Sequence, residues 1–350
     1  DRLAMVVEME VLEDGTVAAS DVYRALVHNH AKLVYEQVAA WLDGDGPLPE
    51  RAAAVPRLSD LLRLQDATAR GLRRRRHERG ALRLDRPEVT AEVVDGCTVT
   101  GFREDRQNRA RELIEDFMIA ANETTARFLE SRGVPSLRRV VRAPGRWPRI
   151  VDLARQLGED LPPEPDSPAL AAFLDGQREA DPAGFPELSL AVTKLMGSGE
   201  YAVDRPGEES PGHFGLAVED YTHATAPNRR YPDLITQRQL KAVLDGGRSV
   251  YTEEELEELA RHCTLREDEA AKVERQITKS AAALLLQPRL GEEFEAVVTG
   301  ASEKGTWVRL CGFPAEGRLV RGTRGADVGD RFRVRLTEVD VERGYIDFER

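Results

Sequence analysis

PGHFGLAVEDYTHATAPNRRYPD, residues 211–233, is the stretch from which the rest of this sequence is read. Gly212 and Gly215 permit close backbone approach, and Pro227 and Pro232 stop helix on either side of Asn228. Arg229 and Arg230 stand between Tyr221 and Tyr231. Forked guanidinium groups beside aromatic faces suit phosphates and stacked bases, so the composition is that of a binding loop. The bland alternative is an irregular connector with an incidental Arg-Arg pair, and the length of the patterned run weighs against it.

Around the loop lies a chain of 350 residues, 41% hydrophobic and 32% charged, enough to bury a sizeable core in two domains. No run of about 18 apolar residues is present, so no membrane partner is expected. The sequence begins at Asp1 without the basic, apolar, small-residue succession of a secretory leader, which predicts a fragment or a processed form. Cys97, Cys263 and Cys311 are odd in number and widely spaced, against both a disulfide framework and a zinc cluster, and a reducing cytoplasm is the expected setting. A net charge of −12 opposes phosphate binding by the molecule as a whole. Distribution outweighs the sum, because a basic channel can sit inside an acidic enzyme.

The pattern predicts a β-hairpin over 2–11 and 17–24 with its turn at 13–16. His28 and His30 follow, a solvated turn in preference to a metal pair. Residues 31–42 and 58–71 have helical spacing, and 73–79 are the densest basic run, either a solvated face or an RNA-backbone contact. The most periodic helix spans 106–131, where Glu115 and Asn122 share one edge. Residues 149–200 read as helices broken at 161–167, and 234–244 as a further helix. A last helix runs to about 286 with a buried stripe through Leu256, Cys263, Val273, Ile277 and Ala281. Five short glycine-punctuated strands follow, which read as a small barrel with Trp307 as a stacking side chain or a core filler. The expected architecture is thus an α+β domain over 1–287, an antiparallel sheet packed with long helices, and an all-β OB-fold barrel over 288–350.

The 211–233 run resembles the signature of the ribonuclease II family, H-F-(S/G)-L-A followed by Y-T-H-F-T-S-P-I-R-R-Y-P-D-L. It departs at Ala224, Ala226 and Asn228 and keeps Arg229. AKLVYEQV (31–38), ELIEDFMIAAN (112–122) and KVER (272–275) are similar to further motifs of that family, and the last sixty residues resemble the RNA-binding barrel of the ribosomal-protein S-one type. The resemblance implies a cytoplasmic, monomeric 3′-to-5′ exoribonuclease that takes single-stranded RNA processively to nucleoside 5′-monophosphates with magnesium (Mg2+). It implies that Arg229 stabilises the scissile phosphate, with Asp233 orienting it, that Tyr35 stacks on a base, and that Glu115 and Glu274 hold the terminal nucleotides. Asn122, His213, Tyr221, Arg230, Tyr231 and Trp307 complete the expected RNA contacts, with Arg142 as a further phosphate contact.

Phosphodiester hydrolysis of this kind draws on clustered carboxylates that hold metal ions. The family's D-x-x-x-x-x-D-x-D-D pattern is not found here, and the resemblance places it upstream of Arg2, so no metal ligand is expected in this sequence. Two rivals follow: a catalytically inactive RNA-binding relative that keeps the channel and barrel, and an acidic scaffold protein whose barrel binds another protein.

Overall fold

Asn108 starts the helix on which the first half of the fold is built: its side chain accepts a hydrogen bond from the Arg111 backbone N–H at 3.0 Å, which satisfies one of the free donors of the first turn. The computed structural model describes residues 1–85, 88–96, 98–105, 107–302 and 305–350, so Cys97 lies outside the described residues. The chain divides into two compact units, residues 1–86 with 107–265, and residues 87–106 with 266–350.

The first unit holds β1 (Arg2–Val11), β2 (Val17–Val27), α1 (Tyr35–Asp43), α2 (Glu50–Ala53) and α3 (Leu58–Glu78). The second unit contributes β3 (Glu88–Val94) and β4 (Thr98–Asp105), and the first resumes with α4 (Arg109–Ser131), β5 (Ser136–Val140), α5 (Trp147–Gln156), α6 (Ser167–Ala180), α7 (Phe185–Met196), β6 (Glu200–Asp204) and α8 (Tyr231–Leu244). Helix α9 (Glu253–Leu286) leads into the barrel strands β7 (Glu293–Ser302), β8 (Gly305–Leu310), β9 (Glu316–Arg321), β10 (Arg331–Asp340) and β11 (Tyr345–Glu349).

Helix α4 is buried along most of its circumference because three elements cover it. The β1–β2 hairpin pairs Val7 with Val22 and lays Met5, Val7 and Val22 against Phe128 and Leu129. Gly15 in its turn has φ +83°, and a Cβ there would meet the Gly71 carbonyl oxygen at 2.2 Å, so only glycine lets the turn dock on α3. Helix α1 seats Val38 and Ala39 on Ala110. Helix α3 joins α4 through ion pairs: Asp116, at 2% exposure, takes Arg73 at 2.7 Å and also Arg76, and Glu112 takes Arg73 at 2.5 Å. The basic run is therefore neither wholly solvated nor wholly free for ligand. A separate cluster on α5–α7, centred on Trp147, Ile150, Leu170 and Leu174, takes Leu82, Leu84 and Phe214 at its margin.

In the second unit β7–β11 close into a barrel in the order β10-β11-β9-β8-β7, with β11 parallel to β9. Val308, Leu319, Leu336 and Phe348 fill it, and Ala283 and Leu286 of α9 join that core. The mixed helix and sheet architecture followed by a five-stranded OB-like barrel is as the sequence predicts.

Three local readings change. The helix expected over 31–42 begins at Tyr35, because Val34 is extended (φ −114°, ψ 131°) and Leu33 packs back on Val38 from outside the helix, as a hydrophobic staple does. The stripe on α9 is covered only at its ends: Val273 and Ile277 are 59% and 62% exposed, because helical spacing marks a face and not what covers it. Strands β5 and β6, paired from Ser136↔Asp204 to Val140↔Glu200, have no counterpart in the sequence reading. His28 and His30 are exposed with ring centroids 5.0 Å apart, and among the described residues no three His, Cys, Asp or Glu side chains come together to hold a metal. No helix among the described residues is long and apolar enough to cross a membrane.

Candidate functional site

The loop between β6 and α8 is fixed at both ends by backbone geometry. Gly212 has φ +65° and a Cβ there would lie 2.9 Å from the Val218 carbonyl oxygen, while the His213 N–H donates to that same oxygen at 2.7 Å. A single 3-10 turn over Phe214–Leu216 follows, and His213 Nδ1 accepts from the Leu216 N–H at 3.1 Å. At the far end Pro232 occupies the first turn of α8, where a missing N–H costs nothing.

Between these ends the loop is held by buried polar groups. Asp233 is fully buried, and one of its oxygens accepts from the Ala226 N–H and from Arg230 Nη2, both at 2.7 Å. Asn122 on α4 is buried as well: its Oδ1 accepts from the Ala224 N–H at 3.0 Å and its Nδ2 donates to the Tyr221 hydroxyl at 3.4 Å. Thr222 Oγ1 donates to the Leu137 carbonyl at 2.6 Å, and the Tyr221 carbonyl accepts from the Arg139 N–H at 2.8 Å. Asn122 and Glu115 share an edge of α4, yet only Glu115 is exposed. Asp233 holds Arg230 rather than orienting Arg229.

Arg229 is what this scaffold leaves outside. Its backbone N–H is tied to the Ala226 carbonyl at 3.1 Å, its side chain is exposed, and the guanidinium has no ion pair or hydrogen bond among the described residues. Tyr231, the first residue of α8, is exposed beside it in sequence.

Rings line the inner side of the loop. His213 and Tyr221 are 5.4 Å apart at their centroids, Tyr221 and His223 5.7 Å, and His223 and Tyr201 5.8 Å, with Tyr201 Oη and His223 Nδ1 at 2.9 Å. Burial first, then Arg230, Arg139, His213 and Arg229, lowers the pKa of His223 from 6.5 to about 3. A base neutral in the folded chain and protonated in the unfolded one adds stability that is complete above pH 6.5 and lost as pH falls toward 3. Between pH 6.5 and 5 the unfolding free energy should fall by up to about 1.4 kcal/mol per pH unit from this group. Urea titrations at both pH values should show that part of the slope vanish in His223→Gln; equal slopes in the two proteins contradict the assignment. Glu115, Asp116 and Glu123 have carboxyls raised by burial, with the opposite sign of pH dependence, and they are common to both proteins.

Helix α4 also carries the loop's geometry to α1. Arg111 lies over the Tyr35 ring at 5.4 Å and pairs with Glu36 at 3.0 Å. Glu115 lies one turn on, and Asn122 two turns further, on the same edge. From Arg111 to Asn122 is about 16 Å along the axis. Tyr35, Glu115 and the 221–233 loop are thus strung along one helix edge. A groove of about 560 Å³ beside the loop is lined by His213, Phe214 and Gly212 with Arg79 and Arg127. Arg142, by contrast, is paired with Glu200 at 2.6 Å.

Glu274 and Trp307 belong to the second unit. Glu274 is exposed on α9. Trp307 alternates with the buried Thr306 and Val308 and lies on the outer side of β8, across Gly300 and Gly305, so it does not fill the barrel. Arg318 faces it in the ladder. The sequence reading missed the holding role of Asn122, Thr222 and Asp116; a polar residue inside an apolar helical stripe was the signal available for Asp116 and Asn122.

The RNB domain model matches residues 1–246, and the model of the RNase II-type exonuclease C-terminal S1 domain matches residues 292–350. The chain belongs to the RNB, or ribonuclease II, family. It is 32% identical over 379 residues to Ribonuclease R of Aquifex aeolicus, an alignment that covers all of this chain and 52% of the relative. The chain therefore spans about half the length of the curated relatives it matches. Mycoplasma genitalium RNase R, solved in its apo form and in complex with ribose methylated single-stranded RNA, shares the fold with a TM-score of 0.86 at 20% identity, over 99% of this chain and 57% of that one. Yeast Ssd1, a pseudonuclease, shares it with a TM-score of 0.65 at 17% identity, over 91% of this chain and 39% of that one.

Proposed function

We propose that the chain is the greater part of the catalytic region, with the C-terminal barrel, of a 3′-to-5′ exoribonuclease that hydrolyses single-stranded RNA processively to nucleoside 5′-monophosphates. The observation that carries this reading is Arg229, an exposed guanidinium without an ion pair or hydrogen bond among the described residues, on a loop held by fully buried polar groups, in a chain of the RNB family. A rigid loop that presents a forked cation suits the charge that develops on a phosphoryl oxygen. Arg229 acts there on the scissile phosphate. Tyr35 stacks on a base, and Glu115 and Glu274 position the terminal nucleotides. His213, Tyr231 and Trp307 bind the strand, while Asn122, Tyr221 and Arg230, whose polar atoms already hold the loop, act by positioning Arg229. Residues 1–287 form the catalytic part and 288–350 the RNA-binding barrel of a cytoplasmic monomer.

The family resemblance implies magnesium, which supplies charge neutralisation and an activated water when bound. The described residues offer no cluster of three donors for it, so they do not fit a metal site and no step is derived through one. What these residues do is bind, orient and stabilise charge. The second reading is an RNA-binding relative without catalysis.

A degradation assay on 5′-labelled single-stranded RNA, with magnesium or with chelator, separates the two. The hydrolase reading expects a magnesium-dependent ladder that collapses to a short end product. RNA bound but left intact in magnesium means either an enzyme without its upstream aspartates or the inactive relative, and the same result with a protein that carries the family's upstream aspartate pattern sinks the hydrolase reading.

A further inference from the structure

A second basic cavity lies between the β1–β2 turn, α3 and α4, with a volume of about 70 Å³, and shares Arg79 and Arg127 with the groove beside the loop. Arg75, Arg76 and Arg79 of α3 and Arg127 of α4 line it, with Asp116 and Glu123 as the carboxylates. Four guanidinium groups therefore meet two carboxylates in the lining, with Asp220 on Arg127 at 3.2 Å and Asp14 near Arg75 at 3.7 Å at its margin.

Those carboxylates do not satisfy the arginines. Asp116 is shared between Arg73 and Arg76 through one oxygen each, and Arg76 still has its Nε and Nη1 buried without a hydrogen-bond partner. Arg75 Nε is in the same state, and the nearest carboxylate to Arg75 is Asp14 at 3.7 Å. Arg79 has no ion pair or side-chain hydrogen bond among the described residues. Glu123 is paired with Arg127 at 2.5 Å. Buried guanidinium N–H groups almost always find acceptors. Donors that converge from two helices suit a tetrahedral oxoanion, whose oxygens point in several directions, better than a planar carboxylate. The space is large enough for a small oxoanion.

We propose that this cavity binds a phosphate group between the α3 arginines and Arg127, as an anion site separate from Arg229. The group comes either from free phosphate and nucleotide ends or from an RNA backbone. Asp220 of the 211–233 stretch pairs with Arg127 at 3.2 Å, but the lining residues lie outside that stretch and the proposal does not use the role given to Arg229.

Calorimetric titration of the 350-residue chain with inorganic phosphate at constant ionic strength tests it. Saturable binding is expected, weakened at least tenfold in both Arg75→Gln and Arg79→Gln, and unchanged within twofold in Arg229→Ala. Arg79 is exposed and Arg75 has only a long ion pair, so both variants keep the fold. Displacement of bound phosphate by a nucleoside 5′-monophosphate but not by a dinucleoside monophosphate without terminal phosphates identifies a free or terminal phosphate as the ligand. Displacement by both identifies the backbone. Absence of saturable binding, or binding lost in Arg229→Ala and retained in Arg75→Gln and Arg79→Gln, overturns the proposal.

Discussion

Arg229→Ala should lower RNA hydrolysis by about 10²–10³-fold and change the unfolding free energy by no more than about 0.5 kcal/mol. The two effects separate because the side chain makes no contact that the fold uses: it is exposed and unpaired, while the loop is closed by Asp233, Asn122 and Thr222 through the backbone of its neighbours. The loss should fall mainly on kcat, since a guanidinium that meets charge developing at a phosphoryl oxygen stabilises the transition state more than the bound strand. Arg229→Lys should recover part of the rate, for it restores the charge without the fork. Single-turnover kinetics on 5′-labelled RNA measure this. A variant within threefold of wild type would remove Arg229 from the chemistry.

Asp233→Ala should destabilise the chain by about 3 kcal/mol, at the lower edge of what removing one partner of a buried pair costs. The carboxylate is fully buried and serves two donors, so its loss strands the Ala226 N–H and leaves Arg230, 24% exposed, without its counter-charge. The acidic residue in the first turn of α8 is lost with it. The residual exposure of Arg230 sets the figure low in the range. Arg230→Ala should cost a comparable amount for the mirror reason, and the double variant less than the sum of the two. Urea unfolding of the four proteins completes the cycle. Additive losses, or a loss below about 1 kcal/mol for Asp233→Ala, would mean that the pair does not hold the loop.

These two residues show where the sequence was legible. The stretch 211–233 has local chemistry strong enough to read as a binding loop, because glycine, proline and arginine at fixed spacing each have few structural uses, but it offered Arg229 and Arg230 only as a pair, and the family resemblance singled out Arg229. The β1–β2 hairpin and the five barrel strands were legible for a related reason, since alternation and turn residues are local signals. What could not be read is non-local. Ser136–Val140 and Glu200–Asp204 pair across some sixty residues of intervening helix, and nothing in either short segment names the other. The direction of Asp233 toward Arg230 instead of Arg229 is a matter of which side of the chain the guanidinium leaves, a torsional choice invisible in the order of residues. The basic run at 73–79 was ambiguous because its counter-charges, Glu112 and Asp116, sit on another helix about forty positions away. Val273 and Ile277 on α9 have perfect helical spacing and are still exposed, because spacing reports a face and not what covers it.

The central claim is that the 221–233 loop presents Arg229 to an RNA phosphate, and the salt dependence of RNA binding tests it most directly. Fluorescence anisotropy of a labelled single-stranded RNA, in chelator so that no cleavage intervenes, should give a Kd that rises steeply with salt for the wild-type chain. The slope of log Kd against log salt should fall by about 0.7 in Arg229→Ala, the value of one lost phosphate contact on a single strand. An unchanged slope in the variant, or no binding by the wild type at low salt, would contradict the account.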